Sequence, residues 1–311
     1  MSLRLASISV DLDEMPLYAA IHGLAIPHGP SAHAAYDRCV PRLTEWLDDE
    51  SIRATFFAIG KDLERDENCE TISALQLAGH EVANHSYHHR YDLTRRTPAE
   101  IQEDVERGAD AIERACGKRP IGFRAPGYTV TDALFNALDR AGVGYDSSVF
   151  PCPSYYAAKV ATLAGIRLRG RKSTSILDTP SVLRAPREPY RVGKPYWRRG
   201  NGLLELPIGV TPLQLPYIGT SLVLGGEKIA ARLTRQMLGR ELINLELHAI
   251  DAADATEDGL ATLAPHRADL RRTAADKLGS LRAAIEVIRD AGYELVTLEE
   301  AARRIRAQPT Q

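Results

Sequence analysis

The stretch GHEVANHSYHHRYDL, residues 79–93, places three of the chain's nine histidines within five positions, directly behind a short run that reads as a β-strand. His85 and His89 are four residues apart. In a helical turn that spacing puts both on one face, so the pair could reach a single ion, while His88 points elsewhere and is a spare. Two imidazoles do not complete a site, because a zinc that does chemistry keeps three protein ligands and one open position. A histidine pair without a carboxylate is ordinarily just a solvated turn, so the rest of the chain has to supply an acid.

Working outward, short apolar strands alternate with helices. Leu3–Val10 reads as a strand that ends at Asp11, and RATFFAIG (Arg53–Gly60) as a second. A helix is expected between them over Ser31–Asp49, bent by Pro41. Thr97 to Cys116 carries the clearest helix signal. Thr97 and Glu100 form a capping box, Pro98 sits in the first turn, Ile101, Val105, Ala109 and Ile112 make one stripe, and Gly117 ends it. IGFRAPG (121–127) and VGYDSS (143–148) read as further strands around a helix that begins at Thr131. NGLLELPIG (201–209) and LINLELHAID (242–251) follow. A helix with Leu270, Ala274, Leu278, Leu281, Ile285 and Ile288 on one face then leads through Gly292 to a last strand, YELVTL (293–298). Such alternation predicts a parallel sheet, open or closed, in one domain spanning 1–311.

One region breaks the rhythm. Arg167–Arg199 holds ten Lys or Arg against only Asp178 and Glu188, and seven of eighteen prolines fall between Pro180 and Pro216. Residues 151–202 are therefore expected to be an inserted basic, proline-rich loop, a type of segment more often functional than decorative. An apolar piece, LPYIGTSLVLGG (215–226), and a short amphipathic helix come next. IHGLAIPHGP (21–30), with His22 and His28, is a second insertion.

Composition excludes several classes. With 44% hydrophobic and 26% charged residues the chain is globular, and a net charge of −2 gives no electrostatic basis for nucleic-acid binding. No apolar run is long enough to span a membrane, and the opening MSLRLASISVDLDE lacks the apolar core of a signal peptide. Cys39, Cys69, Cys116 and Cys152 have no paired or metal-like spacing, so free thiols in a reducing cytoplasm are expected.

The chemistry gathers where strands end. Asp11 and Asp13 follow the first strand, His85 and His89 the third, Arg124 the fourth, Asp146 the fifth, and His248 closes the INLEL run. In parallel α/β folds this end hosts active sites, because its loops converge on one face. An acidic run such as DLDE is usually a surface turn. In an extended segment, however, Asp11 and Asp13 point to the same side, and two such carboxylates repel unless a cation lies beside them. One acid on a metal and the other kept as a base resolves the conflict.

SVDLDE, HSYHH, FRAPGY, YDSS and LELH, in this order, resemble the five motifs of the polysaccharide deacetylase family (carbohydrate esterase family 4, the NodB homology domain), from Asp11 to His248. The resemblance implies a distorted, incomplete (β/α)7 barrel and an enzyme that removes N-acyl groups, mostly acetyl, from amino sugars with one divalent ion, usually Zn2+. It further implies that Asp13, His85 and His89 are the metal ligands and that Asp11 is the general base toward the attacking water. Arg124 would then orient Asp11, His248 would protonate the leaving amine, and Asp146 would steady that imidazole. A backbone N–H near Gly127–Tyr128 would meet the developing oxyanion.

Two departures bear on substrate. Leu12 separates the two aspartates, which resembles an intracellular subgroup that includes allantoinase-like and cyclic-imide-hydrolysing members. No tryptophan follows YDSS, leaving Phe150, Tyr155 or Leu245 to wall the acyl pocket. The expected substrate is an intracellular N-acylated amino sugar or glycolipid, with acetyl or formyl as the acyl group. A cyclic-amide or ureide hydrolase and a non-catalytic carbohydrate-binding relative are the alternatives. Arg184, Arg187, Arg191, Arg198 and Arg199 are expected to meet an anionic phosphate or a membrane surface. That contact would make a cytoplasmic protein peripheral at the inner membrane, and a homo-oligomer also fits the apolar run.

Overall fold

The computed structural model describes residues 3–308, so both ends of the 1–311 span lie outside the described residues. In chain order the strands are β1 (Leu5–Asp11), β2 (Thr55–Ala58), β3 (Glu81–Asn84), β4 (Gly122–Phe123), β5 (Tyr145–Asp146), β6 (Tyr190–Val192), β7 (Arg199–Glu205), β8 (Leu242–His248) and β9 (Glu294–Leu295). The α-helices are α1 (Met15–Ile21), α2 (Val40–Asp49), α3 (Asp66–Leu77), α4 (Pro98–Cys116), α5 (Asp132–Arg140), α6 (Pro153–Leu168), α7 (Gly219–Met237), α8 (Ala274–Asp290) and α9 (Leu298–Arg306).

The sheet runs β6–β7–β5–β4–β3–β2–β1–β8, with β9 on β1, and every pairing is parallel except β6 with β7. Its two ends approach without joining as strands. Just past β7, Gly209 N–H donates to Asn244 O on β8, and Asn244 Nδ2 donates to Leu206 O and Pro207 O. The result is the expected distorted, incomplete barrel.

Strand parity divides the molecule into an outer apolar core and a polar interior. Ala6, Ile8 and Val10 of β1, with Ile243, Leu245 and Leu247 of β8, pack outward against α2, α7 and α8. Ser9 and Asp11 face inward, as does Asn244. The register sets Asp11 opposite both Phe57 and His248, so the middle strands bring the chemical groups side by side.

The clearest helix signal holds in full. α4 has the reciprocal Thr97–Glu100 capping box, and Gly117 closes it in a left-handed conformation (φ 74°) that glycine accepts without steric cost. The Ser31–Asp49 helix is corrected. Residues 29–39 form short 3₁₀ and π segments, and Pro41 sits in the first turn of α2, where its missing N–H costs nothing, instead of bending a longer helix. The region 151–202 contains a sixteen-residue helix, α6, and the edge strand β6. Its alanine-rich sequence behind Pro153 favours a helix even though only Ile166 is buried.

The apolar run after residue 214 forms the start of α7, which kinks at Gly226 (φ 74°) and lays Ala230, Leu233 and Met237 in the same core as Leu281, Ile285 and Ile288 of α8. Among the described residues no helix is long and apolar enough to cross a membrane.

A candidate His–His–Asp metal centre between two buried charge pairs

The histidine cluster is a turn and not a helix, which corrects the geometry by which His85 and His89 meet. Ser86 and His89 both take positive φ (64° and 51°), and His89 N–H donates to Ser86 Oγ at 3.1 Å. The turn folds the rings onto one another, with centroids 4.8 Å apart. His88 points away and pairs with Asp104 of α4.

Asp13 completes the group: its Oδ1 lies 3.2 Å from His89 Nε2 and 3.5 Å from His85 Nε2. All three side chains are buried. His85 Nδ1 donates to Arg124 O at 2.8 Å, which fixes the tautomer and leaves Nε2 with a lone pair facing the cluster. Asp13 Oδ1 and His89 Nε2 have no hydrogen-bond partner. Buried acceptors left bare in this way are costly unless a cation satisfies them. The charge balance agrees. Burial works against an Asp13 carboxylate, yet the His89 and His85 rings hold it well below the usual range. Burial works against a His85 imidazolium too, yet Asp11 and Asp13 carry it above the usual value. The pocket calls for positive charge, and the one-carboxylate, two-imidazole donor set suits a divalent ion.

Asp11 flanks the centre on one side. Its Oδ1 accepts from Arg124 Nη1 at 2.7 Å, while Oδ2 is buried without a partner. Arg124 is itself fully buried. It also donates from Nε to Ser147 O (2.8 Å) and from Nη2 to Ser9 Oγ (2.9 Å) and Ser147 Oγ (3.0 Å), and it lies 4.1 Å over the Phe57 ring.

His248 flanks the other side, 4.0 Å from Asp13 Oδ2. The expected partner of its imidazole, Asp146, is not there. Asp146 faces Glu205 and accepts from Ser148 N–H (3.2 Å) and Ser148 Oγ (2.7 Å). Ser148 Oγ in turn accepts from Ala125 N–H at 2.7 Å, so Asp146 braces the turn that carries Arg124 to Tyr128. The carboxylate at His248 Nδ1 is Glu246, at 2.9 Å. Glu246 and His248 are two apart on β8 and so share its inner face, the same parity that pairs Asp11 with Asp13, and this was the available signal. Asp11, Glu246 and His248 form a second cluster of possible ligands. Arg124 on Asp11 and Glu246 on the imidazole already commit two of its members.

Burial alone would push the His248 imidazolium down, but Glu246 outweighs it, helped by Asp13 and Asp11, and holds the group up at about 10. That is above the ordinary value of 6.5, so the pair stabilises the fold fully below pH 6.5, a contribution that fades as pH rises through about 10. Glu246→Gln is expected to lower the His248 pKa by more than one unit and to shift any alkaline loss of activity to lower pH. Histidine ring-proton NMR titration checks it; an unmoved His248 titration would remove Glu246 from this role.

Of the expected substrate-binding residues, Tyr128 places its Oη 3.4 Å from His248 Nε2 and packs with Phe150 and Tyr155 into an apolar wall that includes Ile208 and Ile218. Gly127 (φ 61°) sits between Tyr91 and Lys159, and Lys159 Nζ donates to its carbonyl at 3.1 Å. The Tyr128 N–H is committed to Ala125 O and is not a free oxyanion donor. Leu245 is corrected outright: odd parity on β8 buries it in the outer core, away from His248. The basic run is also displaced from the site. Arg187 and Glu188 meet Arg240 ahead of β8, and Arg191 and Arg199 bond backbone carbonyls along the sheet edge.

Fold and site together define an α/β barrel protein with a His–His–Asp centre between a guanidinium-held carboxylate and a carboxylate-held imidazole. The profile of the polysaccharide deacetylase family matches residues 28–145 of this chain. Peptidoglycan deacetylase-like protein FGM2 of Gibberella zeae is 36% identical over 112 residues, 35% of this chain and 32% of that protein. The chitooligosaccharide deacetylase of a Bradyrhizobium species is 35% identical over 106 residues, 34% of this chain and 47% of its own. The chain thus spans less than half the length of these curated relatives. A Mycobacterium smegmatis structure assigned as a polysaccharide deacetylase shares the fold over 100% of this chain and 94% of its own, at 20% identity and a TM-score of 0.64. A family 4 acetyl xylan esterase from Clostridium thermocellum, in complex with a cobalt ion, does so over 98% and 93%, at 16% identity and a TM-score of 0.51.

Proposed function

We propose that this protein is a metal-dependent hydrolase that removes an N-acyl group, acetyl or formyl, from an amino sugar or glycolipid, with Zn2+ as the resident ion. One observation carries the reading. Two opposed proton carriers, each held by its own buried partner, flank a single cluster of bare metal-type donors.

Asp13, His85 and His89 would hold the ion, which when bound polarises an amide carbonyl and acidifies water. Asp11 takes a proton through its unpartnered Oδ2, with Arg124 fixing the other oxygen. His248 Nε2 delivers a proton to the departing amine, and Glu246 keeps that imidazole charged and oriented. Tyr128, Phe150 and Tyr155 form an apolar wall beside His248 against which a small acyl group would pack. Binding alone would need neither proton carrier, so the carbohydrate-binding alternative finds no support. The cyclic-amide alternative rests on Leu12 between the two aspartates and predicts a ring-opened product.

A cytoplasmic setting agrees with four unpaired cysteines among the described residues. Cell fractionation tests it, and recovery outside the cytoplasm would reject it.

The reading is tested by chelation and product analysis. Stripping the ion should cut release of acetate or formate, followed by proton NMR on aqueous and lipid extracts of the source cells, by at least about 100-fold, and zinc should restore it. Activity indifferent to chelator would overturn the metal role. Ring-opened acids in place of small carboxylates would favour the cyclic-amide hydrolase.

A further inference from the structure

Beside the mouth, three segments distant in sequence bring basic side chains together. Arg267 follows β8 and places its guanidinium 4.7 Å from the Tyr18 ring centroid, and Tyr18 in turn lies edge-on to His248 at 6.2 Å. Arg267 is held by Asp269 through Nε and Nη2, each at 3.0 Å, which leaves Nη1 uncommitted.

Next to Arg267, His266 stacks on His22 of the first insertion with centroids 5.7 Å apart. Gly23 packs against Arg171, which brings a third segment to the same rim. His22 is depressed, first by burial and then by Arg267, His266 and Arg171, which reports the density of positive charge there. The acids nearby are engaged. Asp269 holds Arg267, and Asp251 accepts from His248 N–H and Thr220 Oγ1, both at 3.0 Å.

We infer that Arg267, with His22, His266 and Arg171, forms a subsite for an oxyanion, phosphate or carboxylate, carried by the substrate next to its acylated unit. The inference rests on the site being a sugar N-deacylase but makes a claim of its own about which sugars bind. A planar guanidinium with a free edge, fixed by a buried carboxylate and backed by an aromatic ring, is pre-organised for such a group. The subsite also differs from the arginine run at 184–199, of which Arg191 and Arg199 lie on the sheet edge and Arg187 meets Arg240 ahead of β8.

Non-acylated probes separate this claim from turnover. Calorimetry on the full-length, metal-loaded chain would compare glucose 1-phosphate, glucuronate and methyl glucoside. At least one charged sugar should bind roughly tenfold or more tightly than the neutral one. Which of the two does so identifies phosphate or carboxylate as the natural group. The preference should vanish in the paired variant Arg267→Gln/Asp269→Asn, which removes both charges together and avoids stranding a buried acid. It should weaken in Arg171→Gln, an exposed position, and persist in Arg191→Gln. A charged-sugar preference that survives the paired variant would mean that the anion sits on the metal, and it would overturn the subsite. So would the absence of any preference in the parent protein.

Discussion

Asp11→Asn is expected to retain its metal and its fold while losing turnover by about 10³-fold, within the 10²–10⁴ that a positioned acid or base usually contributes. The asparagine keeps the size of the side chain and can still accept from Arg124 Nη1 through its amide oxygen. What disappears is the second oxygen, the one left bare beside the metal donors. Asp13, His85 and His89 are untouched, so metal content by plasma mass spectrometry should match the parent. Loss of metal together with activity would turn Asp11 into a ligand, and full activity would remove it from the chemistry.

Arg124→Met should damage folding as well as catalysis. The guanidinium has no exposure and satisfies Asp11, Ser9 and two atoms of Ser147 at once. Truncating it strands a buried carboxylate and a buried carbonyl, and breaking such a pair from one side costs about 3–5 kcal/mol. Arg124→Lys keeps the charge, but a single ammonium cannot span partners contributed by β1 and by the turn after β5, so it should recover only part of the loss. Urea unfolding midpoints beside turnover would separate the two effects. An Arg124→Met protein as stable as the parent would show that the interior network contributes little.

The sequence was readable where a local rule acts alone. The α4 capping box, the alternation of strands and helices, and the placement of Asp11, Asp13, His85, His89, Arg124 and His248 at strand ends all depend on spacing within a few residues. The errors have two sources, strand parity passed over and partners brought from elsewhere. Glu246, two residues before His248 on the same face of β8, is the acid that reaches the imidazole, whereas Asp146 turns to Ser148 and Glu205. Leu245 was lost to parity, one residue away from the inner face. The rim around Arg267 was illegible because His22, Arg171 and His266 are spread over more than two hundred positions, and only the turns after α1, α6 and β8 bring them together.

Residues 28–145, matched by the family profile, contain two of the three metal donors and Arg124, with Asp11 and Asp13 just ahead. His248, the proposed proton donor, and Arg267, the proposed oxyanion contact, both lie on or beyond β8. The candidate metal donors and Asp11 therefore come from the first half of the chain, and the proposed proton donor and Arg267 from the second, joined across the β1–β8 pairing. On this reading a lineage could change its preference by rewriting the rim residues His22, Arg171, His266 and Arg267 while Glu246 and His248 are kept, and hybrid proteins that exchange only those rim segments offer a direct way to move one preference onto another engine.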